Sequence, residues 1–386
     1  MIRFDSEFCD LCDGSESTTL TMPSAFSMRS DQIIQAGPLV KLRCACCGLT
    51  REGRAHVELE SMYRNEYTVA PADYIFYADT GPRRRSEVFT RWMIEAFGAG
   101  KWSAGRRVLE VGAGSGAVLA AFGREFPSCR FEGLELCQSS AQTARASGLA
   151  VHATPVEEWN RGPYDVIYSI GVLEHVPSPT SFLRRLRTLL KSQGYLFLAQ
   201  PTQDVASYDI LFNDHLHHFG SDHLRQYARK TGFREIGFVV GHDLMPNFSL
   251  HCWQATTAEP DWTWHGPPGF STVVDSFAEL QSSFTRLDGT LEGWNRAGRR
   301  IGVFGLNEVF ALARTYTQLS AIPLRCGLDD DPGKEKYRNL GFPVVIPEHA
   351  LHQEIDAVVL ATNRIWVPQV ESRLHSLGLE TCTVLS

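Results

Sequence analysis

Apolar runs alternate with segments of helical character along the middle of this chain. Residues 108–111 form an apolar run that predicts a buried strand, and the small residues at 117–122 predict a helix after it. Apolar runs at 130–134, 164–170 and 191–198 predict further strands. Strands separated by helices are typical of an α/β fold with a largely parallel, doubly wound sheet.

The pattern continues on both sides of this region and then starts again. Further helices are predicted at 86–97, 139–147, 182–190 and 221–231, and late strands at 233–240 and 249–255. Residues 260–270 are rich in Pro, Gly and Trp, which predicts a linker, and a helix is predicted at 271–294. A second strand–helix series begins near residue 300, with strands predicted at 324–328, 355–362 and 381–385. The series lacks a full G-x-G-x-x-G turn, which predicts a Rossmann-like domain that does not bind a dinucleotide.

The chain has 386 residues, too many for one ordinary core, so several domains are expected. We predict a cysteine-rich domain at 1–65, a central α/β domain at 66–258, a linker and helix at 259–298, and a Rossmann-like domain at 299–386. A net charge of −7 argues against a nucleic-acid partner. No apolar run is long enough to span a bilayer and no leader is evident, so we expect a cytoplasmic protein without a membrane partner. The oligomeric state stays open.

Glycines occur at alternate positions directly after the first central strand, in the order Glu110-x-Gly112-x-Gly114-x-Gly116. Glycines let the backbone turn sharply and approach a ligand closely, and the following helix presents unpaired N–H groups. A carboxylate beside a pyrophosphate would be repelled, but it suits a ligand with an amino group or a positive charge. S-adenosylmethionine (SAM) carries both. The stretch resembles the first motif of class I SAM-dependent methyltransferases.

The following segments agree with that resemblance. Glu135 ends the next predicted strand, where a carboxylate can accept hydrogen bonds from both ribose hydroxyls. The run 164–176, which contains Ser169, resembles the family's fourth motif. Glu157 lies in the loop that passes the adenine in this family, and it is a candidate SAM contact. An ordinary doubly wound fold that binds NAD, or no nucleotide, is the alternative.

The cysteines are concentrated near the N-terminus, where five of the ten lie within the first fifty residues. Two C-x-x-C pairs, Cys9 with Cys12 and Cys44 with Cys47, predict a zinc ribbon with a closed, structural site. Cys46 could replace Cys44 only with poorer spacing. Free or redox-active thiols are the alternative.

A histidine-rich stretch lies at 212–219, just before the helix predicted at 221–231. Histidine suits proton transfer near neutral pH, so His215 is a candidate general base and Asp214 could orient its ring. A metal site is one alternative, although no zinc-enzyme motif is present. Capping and surface histidines are the other.

A cysteine-rich N-terminus, a methyltransferase core, an acid–histidine loop and a further α/β segment occur in this order in the sugar C-methyltransferase family, which this chain resembles. The family loop resembles Tyr-His-Glu-His-Leu-Ser-Tyr-Phe, so His215 falls on its general base and Phe212 replaces a functional tyrosine. The tyrosine-rich stretch 73–77 resembles a motif of the family's substrate pocket, which makes Tyr74 a candidate site residue. The resemblance implies C-methylation of a nucleotide-linked ketosugar, with Tyr74 or His175 stabilising an enolate. It also implies that the last domain helps to hold the sugar nucleotide or a second subunit.

Other functions are compatible with the same residues. One is an O- or N-methyltransferase of a natural-product intermediate, in which the same histidine deprotonates the acceptor. Another is a zinc-containing methyltransferase of protein or RNA, against which the acidic net charge argues. The third is a non-enzymatic zinc-ribbon adaptor with a relic SAM fold, against which the intact glycine turn argues.

Overall fold

The structure is a computed structural model that describes residues 7–54, 59–67, 73–78, 81–257, 262, 272–330 and 341–385. Most of the predicted linker, including His265, therefore lies outside the described residues. The chain consists of two compact units. The first unit comprises 1–19, 41–207 and 215–273, and the second comprises 20–40, 208–214 and 274–386. This interleaved division differs from the linear domain order expected from the sequence, which stays a prediction.

The strands are short except around the central sheet. In chain order they are β1 Ser17–Thr21, β2 Phe26–Met28, β3 Ile34–Ala36, β4 Val40–Cys44, β5 Thr50–Glu52, β6 Ile75–Ala78, β7 Gly81–Arg84, β8 Arg107–Val111, β9 Arg130–Leu134, β10 Val151–His152, β11 Tyr164–Ile170, β12 Leu190–Pro201, β13 His217–His218, β14 Phe233–Val240, β15 Phe248–Ala255, β16 Ile301–Phe304, β17 Gly327–Leu328, β18 Val344–Val345, β19 Ala357–Leu360 and β20 Glu380–Thr383. The two strands predicted at 130–134 and 164–170 have these bounds in the structure.

The α-helices flank the strands in the predicted order. They are α1 Leu59–Asn65, α2 Arg85–Phe97, α3 Ala117–Glu125, α4 Gln138–Ala146, α5 Pro179–Leu189, α6 Ser221–Lys230, α7 Thr272–Arg296, α8 Glu308–Tyr316 and α9 Val367–Ser376. Helix α5 begins three residues earlier than predicted, because the Ser178 hydroxyl accepts a hydrogen bond from the Ser181 N–H and caps it. Among the described residues, no helix combines the length and the apolar character needed to cross a membrane.

The first unit contains a seven-stranded sheet with the order β10-β9-β8-β11-β12-β15-β14. Strands β8 to β12 are parallel, and β15 is antiparallel to both of its neighbours. Val111 at the end of β8 lies beside Leu134 of β9 and Ser169 of β11. The glycine turn, Glu135 and the segment after β11 therefore emerge at one edge of the sheet, where open α/β sheets bind ligands.

Successive residues of the central strands face opposite sides of this sheet. Val108 and Tyr168 belong to one buried apolar cluster, and their neighbours Leu109 and Ile167 belong to the other. Because both faces are covered by helices, the strands read as continuous apolar runs rather than as alternating ones. This explains why the sequence pattern predicted their positions closely.

Residues 33–42, between the two cysteine pairs, hold strand β3 and the start of strand β4. Gly37, with φ of 107°, separates the two strands. Strand β4 pairs with β5, and β5 pairs in turn with the two residues of β13. The small sheet β1-β4-β5-β13 thus connects the cysteine-rich segment to the histidine-rich stretch.

The second unit contains a parallel sheet with the order β18-β17-β16-β19-β20. This order is that of a doubly wound arrangement, as expected for a Rossmann-like domain. After β17, Asp329 accepts a hydrogen bond from the Leu306 N–H, and Asp330 pairs with Arg373. These acidic residues therefore stabilise the turns of this unit.

Candidate functional site

Close packing requires two of the three glycines in the turn after β8. A Cβ on Gly112 would lie 2.2 Å from Cγ2 of Val172, and a Cβ on Gly116 would lie 2.4 Å from Cδ1 of Leu149. Both glycines have φ of 81°, a conformation that side-chain-bearing residues rarely adopt. At Gly114, no described atom lies within 4 Å of the position of a Cβ, so the turn leaves open space there.

The second predicted acid, Glu135, is hydrogen-bonded directly to the glycine turn. One carboxylate oxygen accepts from the Gly114 N–H and the other from the Cys137 N–H, each at 2.7 Å. Burial raises the pKa of this carboxyl, while these N–H groups act to lower it. A carboxylate offers about four acceptor sites, so acceptor capacity remains for hydroxyl groups of a ligand. The sequence did not indicate the bond between Glu135 and Gly114.

Glu110 is buried, with 2% of its surface exposed. Its carboxyl accepts a hydrogen bond of 3.0 Å from the Tyr168 hydroxyl on the neighbouring strand. Burial raises the pKa of Glu110 to about 8, although Tyr168 and the Leu119 backbone N–H act to lower it. Glu110 therefore supports the turn and the start of α3, and its contact with the ligand's amino group stays a prediction.

The other two predicted SAM contacts differ in exposure. Ser169 is buried near the end of β11 beside Val111, close to the edge where the turn emerges. Glu157 is exposed in the turn that follows Pro155. The arrangement of the described side chains does not test whether Ser169 or Glu157 contacts SAM.

Four aromatic groups converge beyond the end of β11. The rings of His175 and His215 are almost perpendicular, with centroids 4.7 Å apart. The Tyr63 hydroxyl lies 2.7 Å from Nδ1 of His175, and the Tyr67 ring also meets this imidazole edge-on. The sequence proposed His175 and His215 separately, and it indicated a pocket lining or a packing surface for the stretch 63–67 without assigning Tyr63 a partner. The tyrosine-rich stretch around Tyr63 was the available signal.

Asp214 and Phe212, which precede His215 in the histidine-rich stretch, contact other residues of the second unit. Within the second unit, the Asp214 carboxylate accepts hydrogen bonds from the Ser30 N–H at 2.8 Å and the Ser30 hydroxyl at 2.7 Å. Phe212 forms an isolated bridge with Met28 in the same unit. Asp214 therefore ties the start of the histidine-rich stretch to the loop at Ser30, and its role in orienting His215 stays a prediction.

The predicted pocket residue Tyr74 belongs to the segment that leads into the β6–β7 hairpin. Its ring packs edge-on against Phe76, and the Arg85 guanidinium lies 6.0 Å from its centroid. The neighbouring Asp73 accepts hydrogen bonds from the N–H and hydroxyl of Ser86 near the start of α2. Tyr63 thus supplies the phenol that reaches His175, while the enolate-stabilising role predicted for Tyr74 stays untested.

The two histidines after Leu216 lie in a strand of the small sheet. His217 and His218 form β13 and are paired with Arg51 and Thr50 of β5. Burial lowers the pKa of His217 to about 4, so this imidazole is neutral at pH 7. Its ring stacks on Phe219 with centroids 5.9 Å apart. His217 therefore serves the core, whereas the alternative drawn from the sequence was capping and surface histidines.

The four cysteines predicted to bind zinc are brought together. One sulfur from each of Cys9, Cys12, Cys44 and Cys47 lies within 4.8 Å of the others, and the pairs Cys9–Cys47 and Cys12–Cys44 are separated by 3.5 Å. Tetrahedral zinc with bonds of ~2.3 Å places sulfur atoms about 3.8 Å apart, so the arrangement fits this metal. Cys46 is exposed, which agrees with its exclusion from the ligand set.

The cysteine knuckles dock on helices of the first unit. The Asp10 carboxylate accepts hydrogen bonds from the N–H and hydroxyl of Thr180 in the first turn of α5. Lys230, at the end of α6, donates to the carbonyls of Asp10 and Leu11. His223 forms a hydrogen bond of 3.0 Å with the Cys47 carbonyl. These hydrogen bonds therefore attach both knuckles to the helices α5 and α6 of the first unit.

A second donor set bears on the metal alternative for the histidine-rich stretch. Glu174, His175 and His215 each place one ligand atom within 4.8 Å of the others. Glu174 and His175 belong to the segment after β11, whereas His215 belongs to the histidine-rich stretch. The metal alternative therefore stays open with a different set of ligands.

The strand order and the glycine turn define a class I SAM-dependent methyltransferase fold. Residues 83–236 match the family model described as a methyltransferase domain. This agreement confirms the class predicted from the glycine motif. The sugar C-methyltransferase subfamily stays a prediction.

Relatives match this chain over part of their length. A ubiquinone biosynthesis O-methyltransferase from Bordetella avium is 34% identical over 113 residues, which are 27% of this chain and 46% of that protein. The protein of that name from Bordetella bronchiseptica is 32% identical over 126 residues, which are 30% of this chain and 50% of that protein. The chain thus spans about half the length of the curated relatives it matches.

A solved structure with bound SAM, the magnesium protoporphyrin IX methyltransferase from Synechocystis PCC 6803, is 13% identical to this chain. The match covers 44% of this chain and 78% of that protein, with a TM-score of 0.35.

Proposed function

We propose that this chain transfers a methyl group from SAM to a small-molecule acceptor, with His215 as general base. The observation that carries this proposal is the placement of two groups at one edge of the sheet. Glu135 is bonded to the glycine turn after β8, and His175, which contacts His215, follows the adjacent strand β11. A donor site and a proton acceptor at neighbouring strand ends are what methyl transfer requires.

The residues divide between holding the donor and preparing the acceptor. Glu135 would accept hydrogen bonds from the ribose hydroxyls, and the space at Gly114 admits the ligand to the turn. When bound, SAM supplies an electrophilic methyl group. The His215 imidazole would remove the acceptor's proton, which leaves His215 as an imidazolium. His175, held by the Tyr63 hydroxyl, would donate a hydrogen bond to negative charge that develops on the acceptor.

We favour carbon as the methylated atom, next to the carbonyl of a nucleotide-linked ketosugar. The support is the order of the cysteine cluster, the methyltransferase domain, the His215 stretch and a second α/β unit, which matches the resemblance drawn from the sequence. Phe212, where that family has a tyrosine, implies that the acceptor is held differently on this side.

O-methylation is the second candidate, because the relatives of the methyltransferase domain include ubiquinone biosynthesis O-methyltransferases. In this case His215 would deprotonate a hydroxyl group during attack. The base and the donor site are the same in both candidates, so they differ only in the acceptor.

We also propose that Cys9, Cys12, Cys44 and Cys47 hold one structural zinc ion. Four thiolates complete a tetrahedron and leave no position for water, so this ion would not take part in the chemistry. The docking of both knuckles on the first unit supports a stabilising role. Cytoplasmic location and the absence of a nucleic-acid partner stay predictions.

Calorimetry with SAM and with its demethylated product tests the donor site first. Binding of either ligand is the expected result, and no affinity for either would overturn the enzyme assignment. Incubation of a nucleotide-linked ketosugar with the protein and the demethylated product in D2O then tests carbon. Exchange at the carbon next to the carbonyl, lost in His215→Gln, would support C-methylation. Without exchange, methylation of a phenolic acceptor would favour oxygen.

A further inference from the structure

A fully buried ion pair lies in the hairpin that carries the second cysteine knuckle. Lys41 of β4 and Glu52 of β5 both have no exposed side-chain surface, and the Lys41 Nζ lies 3.1 Å from a Glu52 carboxylate oxygen. Moving two charged groups from water into a protein interior is unfavourable, and apolar residues of similar size often stabilise a fold as well. The pair therefore points to a role other than stability.

The ion pair is bonded to the backbone of the proposed base. Lys41 donates a hydrogen bond of 3.0 Å to the carbonyl oxygen of His215. The Glu52 N–H donates to the carbonyl of the next residue, Leu216, at 2.9 Å. These bonds hold two successive carbonyls of the histidine-rich stretch from one hairpin.

The opposite side of the same backbone is held by the segment after β11. The Leu216 N–H donates to the Glu174 carbonyl at 2.7 Å, and Glu174 immediately precedes His175. Strand β13 then continues the attachment to β5. The backbone at His215 is therefore fixed between the cysteine-bearing hairpin and the segment that carries His175.

We propose that Lys41 is a positioning residue for His215, and that it acts by donating to the His215 carbonyl while Glu52 neutralises its charge. This inference rests on the proposed function, because it assigns the bond a role in proton removal. An ammonium group has three donors, so it can satisfy the carbonyl and the carboxylate together. An apolar residue could fill the space that Lys41 occupies, but it could not donate the hydrogen bond that fixes the position of the His215 carbonyl oxygen.

The assignment predicts a loss of turnover without a loss of donor binding. Displacement of a catalytic group by about 1 Å can reduce a rate by about 100-fold. We expect Lys41→Met/Glu52→Gln to lower kcat by about 10- to 100-fold. SAM affinity should change by less than about twofold, because Glu135 and the glycine turn are untouched.

The double variant avoids a charge left buried without its partner, which would confuse folding with positioning. Lys41→Arg, which keeps both the charge and the donor groups, should retain much of the wild-type turnover. Lys191→Met is the control at a more exposed ion pair, since Lys191 lies 2.8 Å from Asp165 in the seven-stranded sheet. This control should retain wild-type kcat.

A measurement that needs no acceptor separates this inference from the proposed function. In protein with 15N-labelled histidine, the ring resonances of His215 are assigned by their loss in His215→Gln. These resonances should shift in Lys41→Met/Glu52→Gln. They should stay close to their wild-type positions in Lys41→Arg and stay unchanged in Lys191→Met. This result would stand even if no methyl transfer were found.

Unchanged His215 resonances in the folded double variant would overturn the inference. If the double variant does not fold, Lys41→Gln/Glu52→Gln replaces it, because the Gln side chain is one bond shorter than that of Lys and fills the space without placing a donor at the His215 carbonyl. Unchanged His215 resonances in that variant would overturn the inference equally, and shifted ones would support it.

Discussion

The Tyr63 hydroxyl lies 2.7 Å from Nδ1 of His175, although the two residues are 112 positions apart in the chain. If the phenol donates this bond, the ring proton of His175 resides on Nε2. His175 could then donate from Nε2 towards charge on the acceptor, while His215 takes the proton. The perpendicular contact of the two imidazoles places these functions side by side.

Tyr63→Phe should therefore lower turnover and leave donor binding intact. Loss of one hydrogen bond is worth about 1 kcal/mol, which corresponds to a decrease in kcat of roughly fivefold. Tyr67→Phe is the control, because it keeps the ring contact with His175 and the Tyr63 bond. Equal kcat values for Tyr63→Phe and the wild type would remove the phenol from the mechanism.

His215→Gln should lose most of its turnover, because a general base contributes about 100- to 10,000-fold. SAM affinity, measured by calorimetry, should stay close to that of the wild type. His375→Gln, at an exposed histidine in the second unit, serves as the control. Retention of wild-type turnover by His215→Gln would assign proton removal to another group.

Glu135→Gln should weaken SAM binding by about tenfold or more. The amide offers one acceptor oxygen where two backbone N–H groups need one each, and its own N–H groups face a donor. Calorimetry with Glu158→Gln, at an exposed residue, provides the comparison. Equal affinity in Glu135→Gln would contradict the ribose assignment.

Glu110 predicts a dependence of stability on pH. Burial raises its pKa from 4.5 to about 8, so the folded state holds a proton that the unfolded state releases. The resulting stability is complete below pH 4.5 and is lost as the pH rises to about 8. Over this range the free energy of unfolding should fall by up to about 1.4 kcal/mol per pH unit.

Denaturant titrations of the wild type and Glu110→Gln at pH 6 and pH 8 measure this effect. The glutamine side chain cannot titrate, so its curve should lack the component assigned to Glu110. The stability of the wild type relative to Glu110→Gln should therefore be greater at pH 6 than at pH 8. The same difference at both pH values would show that Glu110 keeps an ordinary pKa.

The cysteine cluster predicts one zinc ion per chain, measured by native mass spectrometry. Cys44→Ser should lose the ion, and Cys46→Ser, at the exposed cysteine, should keep it. A second equivalent of metal that disappears in His215→Gln would instead support the site at Glu174, His175 and His215. No bound zinc in the wild type would contradict the proposed structural site.

Much of the first unit could be read from local patterns. Strands buried on both faces produce continuous apolar runs, so β9 and β11 were predicted with their observed bounds. Gly112 and Glu135 directly follow two predicted strands. Because neighbouring parallel strands end at a common edge of a sheet, the sequence alone places these two residues at the same edge. The paired spacing of the cysteines similarly constrains their sulfur atoms within each knuckle.

The sequence alone therefore predicted the methyltransferase fold and the sulfur ligands proposed for zinc, because these depend on neighbours a few residues apart. The partners of the histidines required the folded chain. Tyr63 reaches His175 and Lys41 holds His215 across more than 100 intervening residues, and no periodic pattern encodes such contacts. They arise from the packing of α1 and of the cysteine-bearing hairpin against the strand ends, where burial and hydrogen-bond geometry select the pairs.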